Sequence, residues 1–257
     1  MTTFEAGAPC WVDLTVPDLE AGKYFYGELF GWTFEPGAAE FGHYTPALKD
    51  GRNVSALAPA QEGAPAAWNL YFSTPDTEAL ARRIGEAGGK VAAGPFPIAD
   101  AGTLLLAVDP GGAAFGAWQP GTRAGFEVQG VPGSFFWPEI YTRDKETVDP
   151  FYESVFGFTG QQISEGTEFD FKLFFLPGAQ QPVAGRLQMG PFIPAEVPPH
   201  ALVYFSVEDT DLAAAKVREL GGSVTREPSD SPFGRSALVA DDQGARFAVM
   251  GPVKNAG

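Results

Sequence analysis

Among 257 residues the chain has one cysteine, two histidines and only 17 lysines and arginines. Each scarcity excludes something. The lone Cys10 cannot close an internal disulfide, so nothing requires an oxidising compartment. It also lacks His and Asn partners at a recognisable spacing, and reads as a small buried hydrophobe. Against 32 acidic residues the basic ones leave a net charge of −15. Such a surface repels phosphate backbones and anionic lipid, so neither nucleic acid nor membrane is an expected partner. No charged segment followed by an apolar one opens the chain, and no apolar run approaches the roughly 20 residues that span a bilayer. The expected location is the cytoplasm. Glycine-rich turns fall within hairpins, not between a strand and a helix with a following lysine, which argues against a phosphate cradle.

What is present is repetition. Four segments run from an alternating apolar strand to an aspartate: Trp11 to Asp18, Asn69 to Asp76, Trp137 to Asp144 and Leu202 to Asp209. The halves are copies as well. Tyr24-Phe-Tyr-Gly-Glu-Leu-Phe-Gly-Trp32 returns as Pro150-Phe-Tyr-Glu-Ser-Val-Phe-Gly-Phe158, 126 residues later. Ala87-Gly-Gly89 returns as Leu220-Gly-Gly222, and Asp109-Pro-Gly-Gly112 as Asp241-Asp-Gln-Gly244, 133 and 132 residues later. A period this long constrains architecture more tightly than local propensity does.

Within each copy the order is the same. Asp18, Asp76, Asp144 and Asp209 each stand where a helix N-cap belongs, ahead of an amphipathic stretch ending at Gly31, Gly88-Gly89, Gly157 or Gly221-Gly222. Short strands follow, joined by turn chemistry such as Lys49-Asp-Gly-Arg52. The unit is βαβββ, four times over, an α+β fold. Modules one and two are expected to pair in residues 1–120, and modules three and four in 131–257. Each pair would form a cup-shaped mixed sheet with helices outside. The stretch Gln119 to Pro132 reads as the linker, centred on 121–130. The connectors Ala58 to Pro65 and Gly190 to Pro199 separate modules, and the proline-rich second one is expected to be stiff and extended.

The strand and helix motifs ending at Asp18 and Trp32, their copy ending at Gly157, and the turn at Asp109 resemble the vicinal oxygen chelate superfamily of glyoxalase I, bleomycin-resistance proteins and extradiol dioxygenases. The resemblance covers about residues 7 to 252, and is similar in particular to two-domain actinobacterial members labelled hydroxylase or glyoxalase-like. It implies a fold strongly, and a chemistry less so, because one fold hosts many functions. Metal-using members take His, Gln or Glu ligands from the first and last strands of their modules. The first-strand positions map here to Trp11, Asn69, Trp137 and Leu202, and the last-strand glutamate to Gly116 and Ala248. Those residues offer no adequate donor set, and neither His43 nor His200 lies at a mapped position. No metal and no other cofactor is expected.

Strand alternation puts Trp11, Asp13 and Thr15 on one face, and Trp137, Glu139 and Tyr141 on the matching face of the copy. The second modules add Asn69, Tyr71 and Ser73, and His200, Leu202, Tyr204 and Ser206. Trp11, Asn69, Tyr71, Trp137, Tyr141 and Tyr204 are thus the expected ligand-binding residues. Glu139, His200 and Asp13 are the candidates for acid/base work, since a carboxylate that fixes an imidazole makes a general base. Three readings stand side by side: a metal-free binder of a small apolar or aromatic metabolite, an enzyme acting on a small carbonyl or aromatic substrate, and a filled scaffold working through its surface. The oligomeric expectation is monomer or homodimer.

Overall fold

The computed structural model describes residues 4–166, 169–191 and 193–254. Four βαβββ modules follow one another. The first is β1 (Pro9–Val16), α1 (Leu19–Phe30), β2 (Thr33–Phe34), β3 (Thr45–Lys49) and β4 (Arg52–Pro59). The second is β5 (Ala67–Ser73), α2 (Thr77–Glu86), β6 (Lys90–Ile98), β7 (Gly102–Val108) and β8 (Ala114–Pro120). The third is β9 (Phe135–Thr142), α3 (Lys145–Phe156), β10 (Thr159–Ser164), β11 (Phe171–Phe175) and β12 (Pro182–Gln188). The fourth is β13 (His200–Ser206), α4 (Thr210–Glu219), β14 (Ser223–Ser231), β15 (Gly234–Ala240) and β16 (Arg246–Gly251). Two mixed eight-stranded sheets result, ordered β2-β3-β4-β1-β5-β8-β7-β6 and β10-β11-β12-β9-β13-β16-β15-β14. None of the described helices is long and apolar enough to cross a membrane.

All four aspartates cap their helices as the repeats predict. Asp18 accepts from the Ala21 amide, Asp76 from Ala79, Asp144 from Thr147, and Asp209 from Asp211 and Leu212. Each cap satisfies amide donors that a helix start leaves without partners.

The chain divides into two compact units that group the modules differently from their sequence order. One holds residues 1–11, 69–125 and 138–201, which is most of modules two and three. Its core gathers Phe72 with Phe115, Tyr152, Phe156 and Phe158. The other holds residues 12–68, 126–137 and 202–257, most of modules one and four. There Phe205 meets Phe30, Trp32, Trp68 and Phe247.

The repeated motifs explain this grouping. In the first unit, the buried Tyr152 of α3 donates its hydroxyl to Asp109 Oδ2 at 3.2 Å, in the turn before β8. In the second, Tyr26 of α1 donates to Asp241 Oδ2 at 3.0 Å, in the turn before β16, and accepts from Trp68 Nε1 at 3.1 Å. Each aspartate also ties its own turn, taking the amide of Ala113 or of Ala245. Burial raises the carboxyl pKa of both aspartates, and burial followed by the adjacent carboxylate charge raises both tyrosines well above their ordinary value. The helix motif and the turn motif are therefore two halves of one lock, used once per unit.

The connector Gly190 to Pro199 departs from its expected extended form. It folds into turns closed by hydrogen bonds from the Ile193 amide to Gly190 O and from the Val197 amide to Pro194 O. Arg143 Nη2 binds the carbonyls of Pro194 and Val197 at 2.7 and 3.1 Å. A cation at the centre gathers carbonyls that a stiff proline segment would leave to solvent.

Candidate functional site

The helices define which sheet face is available. In the unit of modules two and three, Arg186 on β12 is fully buried and binds Asp149 of α3. It is in parallel register with Ile140 on β9, so these two point toward the helix. Their neighbours Glu139, Tyr141, Gly185 and Leu187 therefore occupy the opposite face, away from α3. On this face Glu139 lies beside Gly185 and Tyr141 beside Leu187, with Phe171 on β11 beyond Leu187.

Glu139 is buried. A Cβ built on Gly185 would stand 2.5 Å from Phe171 Cζ and 3.3 Å from Glu139 Cγ. Only glycine there lets the Phe171 ring lie down across β12 against the glutamate stem. The outer ring of Phe169 is stacked on Phe171, with centroids 5.5 Å apart and planes at 14°. On the other side His200 stacks on Tyr141 at 4.9 Å and 26°. His200 Nδ1 is 2.8 Å from Pro198 O, a carbonyl that can only accept, so Nδ1 is the donor of this contact. The result is an aromatic and aliphatic face with one carboxylate, a composition suited to orienting a small molecule.

The first-half copy differs. Asp13 is buried and accepts a hydrogen bond from Tyr44 Oη at 3.0 Å. Trp11 is half-buried, as are Asn69 and Trp137, while Tyr71 and Tyr204 are buried. Tyr71 lies in parallel register with Gly116, and Tyr204 with Ala248. A side chain added at Gly116 would run directly into the Tyr71 ring. Beneath, the Cys10 thiol donates to Tyr71 O at 3.5 Å, and burial pushes its pKa up.

The structure thus brings Tyr141 and His200 into contact, with Glu139 two residues along the same face, and it gives Asp13 a phenol partner. Sequence reading missed Tyr44, Phe171, Phe169 and Gly185. The alternation of Phe171, Leu173 and Phe175 was the available signal for β11. Nothing in the local sequence linked Tyr44 to Asp13, 31 residues away.

The superfamily's metal does not fit these residues. Trp, Leu, Gly and Ala at the mapped positions supply no donor, and Tyr71 fills the space where a last-strand glutamate at position 116 would project. Among the described residues no three His, Cys, Asp or Glu side chains gather to hold an ion.

Comparison with known proteins agrees with this geometry at the level of fold. The sequence pattern described as Glyoxalase/Bleomycin resistance protein/Dioxygenase superfamily matches residues 10–116 and 134–249. The anthracycline biosynthesis protein DauV of Streptomyces sp. (strain C5) is 39% identical, over 97% of this chain and 95% of its own. Among solved structures, the 2,3-dioxygenase LapB from Pseudomonas sp. KL28 superposes with a TM-score of 0.67 at 15% identity, over 96% of this chain and 93% of that one. The Mn(II)-bound glyoxalase from Novosphingobium aromaticivorans gives a TM-score of 0.66 at 17% identity, over 97% and 83%.

Proposed function

This chain belongs to the Glyoxalase/Bleomycin resistance protein/Dioxygenase superfamily, and from that premise we propose that it binds a small apolar or aromatic metabolite without a bound metal. The ligand lies against the sheet face around Glu139, away from α3. The observation that carries this reading is the buried Glu139, which has the Phe171 ring over the neighbouring Gly185 and shares its strand face with Tyr141, on which His200 stacks. The net charge of −15 disfavours anionic ligands. A relative named for anthracycline biosynthesis supports a fused-ring aromatic compound as ligand. Residues 1–120 and 131–257 serve as the two functional domains of a cytoplasmic monomer or homodimer, joined through 121–130.

A second reading, metal-free acid/base catalysis on a carbonyl or aromatic substrate, is favoured by one feature. His200 stacks on Tyr141, and Glu139 and Tyr141 share one strand face, so an imidazole and a carboxylate belong to one region of the sheet. In that case Glu139 or His200 takes a proton from an O–H or C–H of the substrate.

The test is a tryptophan-fluorescence titration with a panel of hydroxylated aromatic compounds, anthraquinones included. Glu139→Gln is expected to weaken binding by about 1–3 kcal/mol through loss of a charged acceptor. Asp13→Asn, whose carboxylate already serves Tyr44, is expected to change it less. Unchanged binding in both variants would overturn the proposal and leave the filled-scaffold reading.

A further inference from the structure

In the first module a cavity of about 290 Å³ opens between the start of α1 and the segment that joins β2 to β3. Strand alternation separates it from the Asp13 face. Tyr44 reaches Asp13 Oδ2 at 3.0 Å, whereas the next residue, Thr45, lines the cavity in register with Leu57, whose side chain packs against Gly22 of α1. The wall is apolar at Leu19, Phe34 and Pro36, and polar at Glu20, Lys23, Glu35 and His43. Such a volume lies at the lower end of small-molecule sites, roughly 300 Å³ upward, and suits a ligand of about one ring.

The wall is set before any ligand arrives. His43 holds a left-handed backbone at φ 60°, with its amide bound to Ala38 O at 3.0 Å and its carbonyl accepting the Thr45 hydroxyl at 2.8 Å. Gly37 approaches so closely that any side chain there would collide with that carbonyl. Little ordering is left for a ligand to impose. The charges sort by what they already hold. Lys23 binds Glu20 at 2.8 Å within the helix, so these two offset each other. Among the described residues the Glu35 carboxylate has no ion pair or hydrogen bond, and it is the surplus charge of the cavity.

We propose that this cavity is a second binding site, independent of the reading above, for a small organic cation. Its ammonium sits on Glu35 and its aliphatic or single-ring body lies against Leu19, Phe34 and Pro36. An anion would gain Lys23 only by displacing Glu20, and would then face two carboxylates. The net charge of −15 also favours cations at this surface.

The experiment follows backbone amide shifts of the isotope-labelled full chain during titration with cyclohexylmethylamine, its neutral counterpart cyclohexylmethanol, and cyclohexanecarboxylate. Shifts are expected around Leu19 to Lys23 and Glu35 to Thr45. The amine is expected to bind about fivefold more tightly than the alcohol, the upper range for an ion pair open to solvent, and the carboxylate most weakly. Glu35 is exposed, so Glu35→Gln keeps the fold; it is expected to remove the preference and leave the alcohol unchanged. Lys23→Met is expected to tighten the amine several-fold, because Glu20 becomes a second carboxylate for it. A ligand held through Lys23 would be weakened instead. Glu139→Gln is expected to change none of these values, so failure of the site around Glu139 and failure of this one are read separately. An amine that binds no better than the alcohol, a preference that survives Glu35→Gln, weaker amine binding in Lys23→Met, or shifts confined to other segments would each overturn the inference.

Discussion

Replacing Arg186 by methionine is expected to destabilise the protein by about 3–5 kcal/mol, the range for removing one partner of a buried ion pair. The guanidinium is fully buried between two carboxylates. Nε and Nη2 grip both oxygens of Asp149 at 2.8 and 3.1 Å, and Nη1 binds Asp170 Oδ1 at 2.5 Å and Asp170 O at 3.2 Å. Lys172 and Lys145 reach the same aspartates from the outside, at 2.9 and 2.7 Å. Methionine fills the stem's volume but takes the guanidinium from both carboxylates and leaves each with its outer lysine, so the loss comes from the buried oxygens that faced Arg186. Urea denaturation reads it directly.

The same variant alters the acid limb. Burial alone would raise the Asp170 carboxyl, but hydrogen bonds from Lys145, Arg186 and Gln162 outweigh it and hold the pKa at about 2. An acid whose folded pKa lies below its unfolded value, about 3.9, contributes stability above the unfolded value and loses it as pH falls through the folded one. The gap between parent and Arg186→Met is therefore expected to narrow from about pH 4 down to about pH 2. A gap that stays constant over that range would contradict the assignment.

Tyr26→Phe is the second large effect, roughly 2–6 kcal/mol, because one hydroxyl serves two buried groups. It donates to Asp241 and accepts from the Trp68 indole, and its loss leaves a carboxylate oxygen and an N–H without that partner, at about 1–3 kcal/mol each. The sequence copy Tyr152 donates to Asp109 and has no indole in the corresponding position among its hydrogen bonds. Tyr152→Phe should therefore cost less, about 1–3 kcal/mol. Equal losses in thermal or urea melts would mean that the Trp68 bond contributes nothing.

These pairs mark where sequence reading stops. The 126-residue offset, the aspartate before each helix and the glycine after it are local signals, and the βαβββ order followed from them. Strand alternation, with its period of two, also put Asp13 and Glu139 at matching positions of their strands, and both are buried. The partners of those residues were not legible. Tyr26 and Asp241 are 215 residues apart, and Tyr152 and Asp109 belong to different halves. Their pairing depends on complementary groups meeting in three dimensions, which no periodicity encodes. It is also why modules one and four share one compact unit, and two and three the other. Gly185 shows the same limit from the other side. A missing side chain signals nothing in sequence until the Phe171 ring is seen in its place. The connector around Pro194 turned because Arg143, about 50 residues earlier, supplies donors to its carbonyls.

The central claim is recognition of an aromatic ligand around Glu139 with no metal taking part. It is tested most directly by titrating chelator-treated protein with 9-aminoacridine, then repeating the titration after adding zinc, manganese or ferrous iron. The account predicts the same dissociation constant in every condition, and weaker binding with Glu139→Gln. Binding that vanishes on chelation and returns with about one metal ion per chain would contradict it.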